Sequence, residues 1–351
     1  HFDYHSIHDN LLKLDLLGHD DPTMIRKLHD LSGFDPRQVP LDDPETMKLF
    51  TSLEPLGIEG DDILGHFSGA AAIPEFGTKF VRGMLEDTKP TTFDELLRIS
   101  GLSHGTDVWL NNAKDVVTSG LGTLKDVICV RDDITIKLMQ MGLAPKLSFT
   151  ISESVRKGKG LKPEWEEEMR AHSLPEWYIG SCKKIQYMFP RAHAVAYVMM
   201  AYRIAWFKVH RPLEFYTVYY TVRADAFDVT RSLGGAEAVL RQIHALEKGL
   251  NSGDAESSKK DKDLITILEV VYEMNMRGIE LLPVDIYKSQ GTRFTIEDGA
   301  IRPPFNAIPG VGDNAALAMA QNRGTEPFHS VEDFAARTGA NSGVVAALDA
   351  C

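Results

Sequence analysis

The chain has 351 residues, 43% of them hydrophobic and 25% charged, with a formal net charge of −12. That length allows two or three domains with real cores, and the composition is that of an ordinary soluble globular protein. No secretory leader or membrane-length apolar run is seen, and three widely spaced cysteines (Cys129, Cys182, Cys351) without a C-x-x-C pair exclude a disulfide framework and argue against zinc, which suits a reducing cytoplasm.

The chain opens without a Met at His1-Phe2-Asp3-Tyr4, which reads as the inside of a strand, so a piece of a longer polypeptide is expected. His1, His5, His8 and Asp9 do not share one ligand face, and a structural or solvent role is preferred to a zinc site. From Leu11 to Leu17 a second strand pattern puts Lys13 and Asp15 on one face and Leu12, Leu14 and Leu16 on the other, with Gly18 closing it. A carboxylate on an apolar strand needs a cation to hold its charge, and beside an ammonium it suits a metal–phosphate complex. On these residues alone the plainer reading is a Lys–Asp pair. Asp20-Asp21-Pro22-Thr23 starts a helix that runs through Leu31, and Asp42-Asp43-Pro44-Glu45 starts another.

The following stretch is predominantly helical. Thr91-Thr92-Phe93-Asp94-Glu95 resembles a capping box, and Pro163-Glu164 opens a helix with acidic residues in its first turn. His193 to His210 is long and apolar and ends or turns sharply at Pro212. Its Tyr197, Tyr202 and Phe207 read as core by spacing. Arg156, Lys157, Lys159 and Lys162 form one basic cluster, and Lys183, Lys184, Arg191, Arg203 and Lys208 another. Such clusters can outweigh an acidic total charge in recruiting nucleic acid, although a solvated helix face is the commoner explanation for either one. Asn251 to Lys260 reads as a linker or surface loop, Ile265 to Arg277 as an amphipathic helix, and Val284–Tyr287 and Arg293–Ile296 as strands with a turn at Glu297-Asp298-Gly299.

Phe305 to Ala316 contains Ile308-Pro309-Gly310-Val311-Gly312-Asp313-Asn314, the pattern of a helix-hairpin-helix. Its two glycines allow a tight turn whose amides, at the next helix start, can hold a DNA phosphate without reading a base. A degenerate second copy runs from Phe328 to Leu348.

Taken in order, Leu11–His19, Phe76–Met84, Gly101–Trp109, Ser154–Gly160 and Phe189–Tyr197 resemble segments of the bacterial replicative DNA polymerase III alpha subunits, of the PolC type. The resemblance covers nearly the whole chain and is weakest from Arg231 to Lys262. It implies an α+β, mostly helical fold: residues 1–50 the C-terminal part of a palm, 51–230 the fingers, 231–290 a linker and small α/β element, and 291–351 a duplex-binding domain with the helix-hairpin-helix.

The same resemblance implies DNA-templated nucleotidyl transfer by two metal ions, with Mg2+ as cofactor. Asp15 would be the third catalytic carboxylate and a metal ligand, and Lys13 a phosphate contact beside it. The other two carboxylates are expected before His1, so the chain alone is expected not to polymerise. Arg156, Lys157 and Lys159 match basic residues that contact the incoming triphosphate, although a loop touching only solvent or template is a fair competitor for Lys159. Arg191 and His193 would lie near the triphosphate, His193 donating a hydrogen bond or a proton to the leaving group, against the plainer reading of a packed histidine. Arg131 could add a phosphate contact, while for Asp132 and Asp133 a helix N-cap next to a structural ion pair fits as well as a functional role. Ser103-His104-Gly105-Thr106 reads as a compact polar loop that could shape the base-pair pocket. It departs from the arginine-rich loop of the other subtype, which weakens any role carried over there. Gly310, Val311, Gly312 and Asn314 would contact DNA.

Expected partners are primer–template DNA, an incoming dNTP, a sliding clamp bound through a motif absent before Cys351, and upstream exonuclease and phosphoesterase-type domains of the same polypeptide, with no membrane. The setting would be a cytoplasmic, nucleoid-associated replisome. The alternative is a non-catalytic DNA-binding accessory module.

Overall fold

A computed structural model describes residues 3–7, 10–12, 18–59, 64–251 and 258–351. Helices dominate, and the two strands form one small hairpin. Tyr4–Ile7 is a single helical turn (α1), closed where the Ser6 amide donates to the Asp3 carbonyl and its hydroxyl to the Asp3 carboxylate. That corrects the strand expected at the start: Asp3 is a local acceptor that stabilises the turn. Lys13 and Asp15, with the strand expected to carry them, lie outside the described residues.

Helix α2 spans Asp21–Ser32 and stops at Gly33, and α3 spans Pro44–Lys48 with the Asp43 carboxylate capping Thr46. Then come α4 (Lys79–Thr88) and α5 (Phe93–His104), whose Thr92–Glu95 capping box is made in both directions. Residues α6 (Lys114–Thr118), α7 (Arg131–Gln140), α8 (Pro145–Arg156), α9 (Pro163–Ala171) and α10 (Glu176–Lys184) follow. The central helix α11 (Arg191–His210) packs on α2, α3 and α5, and Arg211 and Pro212 redirect the chain into α12 (Pro212–Arg223), which lies against α2. α11 carries apolar residues on every side, and along it only Ala192, Ala196 and His210 are exposed. Tyr202, Phe207 and Lys208 are fully buried in it, whereas Tyr197, expected in the core, is only half-buried.

Lys208 therefore leaves the second basic cluster. Its ammonium donates to the Gly69 and Ala71 carbonyls, at 2.8 and 2.6 Å, and pairs with Glu273 at 2.7 Å. Burial pulls it down to about 8, against the pull of Glu273.

After α13 (Val229–Ser232), the stretch expected to begin as a linker is mostly a helical hairpin, α14 (Gly235–Asn251) packed on α15 (Ser258–Met276). Val239, Ile243, Leu246, Leu264, Leu268 and Val271 fill its seam. The amphipathic helix expected from Ile265 to Arg277 is the greater part of α15, whereas α14 falls in the stretch expected as a linker and is a helix because Val239, Ile243 and Leu246 recur at helical spacing. Residues 252–257, the middle of the expected loop, lie outside the described residues.

Strands β1 (Thr295–Glu297) and β2 (Ala300–Arg302) pair antiparallel through a two-residue turn with Asp298 and Gly299 both at positive φ. The strand expected at Val284–Tyr287 is instead a turn, because the Asp285 carboxylate accepts the amides of Tyr287 and Lys288. A one-turn 3₁₀ helix at Phe305–Ala307 leads into the Gly310 turn and α16 (Asp313–Asn322). Then α17 (Val331–Thr338) ends at Gly339 and α18 (Ser342–Asp349) follows. No helix among the described residues is long and apolar enough to cross a membrane.

Candidate active site

The stretches 103–106, 131–133, 154–160 and 186–193 are far apart in sequence and meet at one end of α5, α7, α8 and α11. Thr106 and Tyr187 form an isolated antiparallel bridge, the Thr106 amide donating to the Tyr187 carbonyl at 2.9 Å. Gly158 sits at φ +69, where a Cβ would come 2.5 Å from the Gln186 carbonyl oxygen. The Arg131 amide donates to the Phe189 carbonyl at 3.0 Å, and the Arg191 amide to the Asp132 carboxylate at 2.7 Å.

Ser103 and His104 are not in a loop. They complete the last turn of α5, and Gly105 caps it; a Cβ there would overlap Val108 and approach the Tyr187 carbonyl. Ser154 to Arg156 likewise belong to α8, so only Lys157 to Gly160 remain as loop, tied back by the Ser154 hydroxyl donating to the Gly160 carbonyl at 2.9 Å. Helix propagation overrode the small residues that suggested irregular structure.

The basic residues sort into two groups. Glu153, on the last turn of α8, is shared by three cations. Arg156 holds both of its oxygens at 3.0 Å, Arg131 approaches at 3.1 Å and Lys157 at 3.4 Å. Hydrogen bonds from Arg156 lead in holding this carboxyl down at about 2. Arg131 also reaches Asp132 at 3.3 Å, and Lys159 is exposed with no ionic partner among the described residues.

The second group is a paired network. Arg191 bonds the Asp94 carboxylate and lies 3.6 Å from Asp133, and Arg98 bonds Asp94 at 2.9 Å. Asp133 also accepts the amides of Cys129 and Val130, which makes it the cap of α7. Burial raises its carboxyl despite those bonds.

Beside these groups lies a recess of about 300 Å³ lined by His19, Glu75, His104, Phe189, His193 and Tyr197. Its rings form a stack. His193 lies nearly parallel to Phe189, with centroids 4.8 Å apart, and meets Tyr197 at 4.6 Å, which meets His19 at 4.6 Å. His104 is fixed by its own neighbours, one ring nitrogen at 2.9 Å from the Ser100 carbonyl and the other at 3.1 Å from Glu75. Ser103 and His104 also border a wider hollow of about 540 Å³, with Thr78, Lys79, Arg82 and Glu269 on its walls.

Sequence reasoning missed Glu75, Glu153, His19 and the outward face of Tyr197. For Glu153 a signal was present, because it precedes Arg156 and Lys157 by three and four residues, the spacing of ion pairs on a helix. His19 and Glu75 reach the recess from distant segments, and no local pattern announces them.

Gly310 and Gly312 are exposed, Gly310 at φ +89, and Asn314 is exposed in the first turn of α16. Val311 is buried and anchors the turn. Gly312 leaves α16 without a side-chain cap, although Asp313 receives a bond from Asn306 at 2.9 Å. Among the described residues no group of three or more His, Cys, Asp or Glu is placed to hold a metal ion.

Residues 21–173 match the family described as the bacterial DNA polymerase III alpha subunit finger domain, and residues 278–351 match a helix-hairpin-helix motif. The chain is similar to proteins named DNA polymerase III PolC-type. The one from Halalkalibacterium halodurans is 55% identical over all 351 residues, that from Bacillus subtilis 54% over 349 residues and that from Staphylococcus saprophyticus 52% over 349 residues. In each case 99–100% of the chain is covered against 24% of the relative. The chain thus spans about a quarter of the length of the curated relatives it matches.

Proposed function

From the premise that the chain is, along its whole length, a PolC-type segment of bacterial DNA polymerase III alpha, we propose that it supplies the nucleotide-binding fingers and duplex-DNA contacts of a replicative DNA polymerase. One observation carries the reading: a cation cluster with excess positive charge and an aromatic recess are built side by side from four separate stretches. An incoming dNTP needs both surfaces. Arg131, Arg156, Lys157 and Lys159 would hold triphosphate oxygens, the arginines in their forked geometry and the lysines as point charges. The recess of His104, Phe189, His193 and Tyr197 would face the base, where stacking contributes about 1–3 kcal/mol per base. Ser103 borders the wider hollow beside it, and Gly105 and Thr106 hold the end of α5 against Tyr187. Arg191, tied to Asp94 and Asp133, would contact phosphate only by giving up one of them, so its part is to orient the entry of α11. His193 would serve as donor to the leaving group after turning out of its stack.

Residues 1–50 would be the end of the palm, 51–230 the fingers and 291–351 the duplex-binding region. Within the last, the amides around Gly310, Val311, Gly312 and Asn314 would hold backbone phosphate. Lys13 and Asp15 would stand next to the primer terminus. Mg2+ would supply charge neutralisation there, with Asp15 as one ligand and the remaining carboxylates from other parts of the polypeptide. A sliding clamp and the exonuclease and phosphoesterase-type domains belong to that larger assembly, in the cytoplasmic replisome.

The test is anisotropy of a labelled, 3′-dideoxy-terminated primer–template titrated with the chain, with and without the dNTP that matches the template. Severalfold tighter binding with the matching dNTP alone is expected. Binding indifferent to any dNTP would leave the alternative, a DNA-gripping accessory module. In the intact polypeptide, Asp15→Asn is expected to abolish primer extension while DNA binding is kept; near-normal extension would remove Asp15 from the chemistry.

A further inference from the structure

Glu153 sits where an anion of the substrate should. Its two oxygens, with about four acceptor positions, are met by four donors from three cations: Arg131 and the Arg156 Nε on one oxygen, and Arg156 Nη2 and Lys157 on the other. The side chain is 20% exposed and stands on the last turn of α8, so nothing in the core requires a carboxylate there. Among the described residues Asp132 is the only other acid in contact with the cluster, through Arg131, and Lys159 next to it has no ionic partner. Three cations this close repel one another unless an anion lies between them. A forked arginine with a second guanidinium and an ammonium converging on a pair of oxygens is also the arrangement that suits a phosphate.

We propose that Glu153 is the resident counter-anion of the triphosphate site. It gathers Arg131, Arg156 and Lys157 onto one point before a nucleotide arrives and yields them to phosphate oxygens when it binds. The inference rests on the reading of this cluster as the triphosphate site. It makes Glu153 a positioning residue whose charge also competes with the ligand, so empty fingers keep their cations aligned and weakly bound anions are turned away.

The test is calorimetric titration of the whole chain with inorganic tripolyphosphate, free of divalent metal, at low fixed salt, for wild type, Glu153→Gln, Glu153→Asp and Arg156→Gln. Removing one like charge about 6 Å from the ligand in a mostly aqueous dielectric is expected to tighten binding by about three- to tenfold in Glu153→Gln. Glu153→Asp, which keeps the charge, is expected to stay within about twofold of wild type. A residue that only braced α8 would give the opposite sign in Glu153→Gln, because its loss could loosen the cations but not strengthen their hold on phosphate. Weaker or unchanged binding in Glu153→Gln, with Arg156→Gln losing affinity, would overturn the counter-anion and leave the triphosphate site standing. Tripolyphosphate binding that is absent from wild type, or indifferent to Arg156→Gln, would overturn both. Should Glu153→Gln fail to fold, Glu153→Asp decides: the shorter carboxylate must retain wild-type affinity, and a loss of tenfold or more would refute the idea.

Discussion

Gly158 offers a sharp test of how the site is assembled, because a second glycine two residues away supplies the control. Gly158 and Gly160 have nearly the same backbone, φ +69 and +67. A Cβ on Gly160 would meet nothing within 4 Å, whereas one on Gly158 would lie 2.5 Å from the Gln186 carbonyl oxygen and 3.2 Å from its carbon and Cα. Gly160→Ala therefore carries only the left-handed strain, about 1 kcal/mol. Gly158→Ala carries the same strain plus an overlap that backbone must relieve, adding about 1–3 kcal/mol. Relief moves the 157–160 loop off the 186–187 strand segment, which shifts Lys157 relative to Phe189 and the recess. Urea unfolding of the chain and its two variants, followed by circular dichroism, reads the stability difference, and tripolyphosphate titration reads the site. The expected result is a midpoint lowered clearly further by Gly158→Ala than by Gly160→Ala, with weakened anion binding only in the former. Equal midpoints would show that the contact between the loop and Gln186 is not tight, and the argument that these segments are locked together would fail.

Lys208→Met is expected to cost about 3–5 kcal/mol, because it leaves Glu273 buried with only the Tyr216 hydroxyl, while Lys208→Met with Glu273→Leu should recover most of that loss. Equal destabilisation by the single and double variants would refute the ion-pair account. The Glu153 carboxyl, held at about 2 against an ordinary 4.5, contributes stability that is complete above about pH 4.5 and disappears as pH falls toward 2; since the cluster lies at the surface and its cations are partly exposed, the amount is about 1 kcal/mol. Carboxyl ¹³C titration should show one resonance, absent from Glu153→Gln, that stays ionised through pH 3, and its titration near 4.5 would sink the cluster. Arg191→Gln should lower stability by about 1–2 kcal/mol while reducing tripolyphosphate affinity far less than Arg156→Gln, and the reverse order would make Arg191 a direct phosphate ligand. Gly310→Ala, strained at φ +89, should weaken duplex-DNA binding with little sequence preference and flatten its salt dependence, whereas an unchanged salt slope would remove the hairpin amides from the interface.

The segments with strong local signals were legible in the chain itself. The Thr92–Glu95 capping box, the Asp43 cap, the redirection at Pro212 and the Gly310 turn each depend on residues a few positions apart, so elementary backbone chemistry decides them. Other features depended on residues far apart. Lys208 looked like one more surface cation, and only the approach of Gly69, Ala71 and Glu273 from three distant segments made it a buried strut. Arg191, expected as a triphosphate contact, carries Asp94 and Asp133 on its guanidinium, a pairing that no local pattern announces. Glu153 looked like an unremarked acid in a basic run until Arg131, more than twenty positions upstream, joined Arg156 and Lys157 on it. The sequence by itself determined the caps, the tight turns and most of the helices, because these features act within one helix or loop. The tertiary structure alone decided which charges neutralise one another and which stay exposed, because Coulomb interactions and burial depend on distance through space and not on separation along the chain.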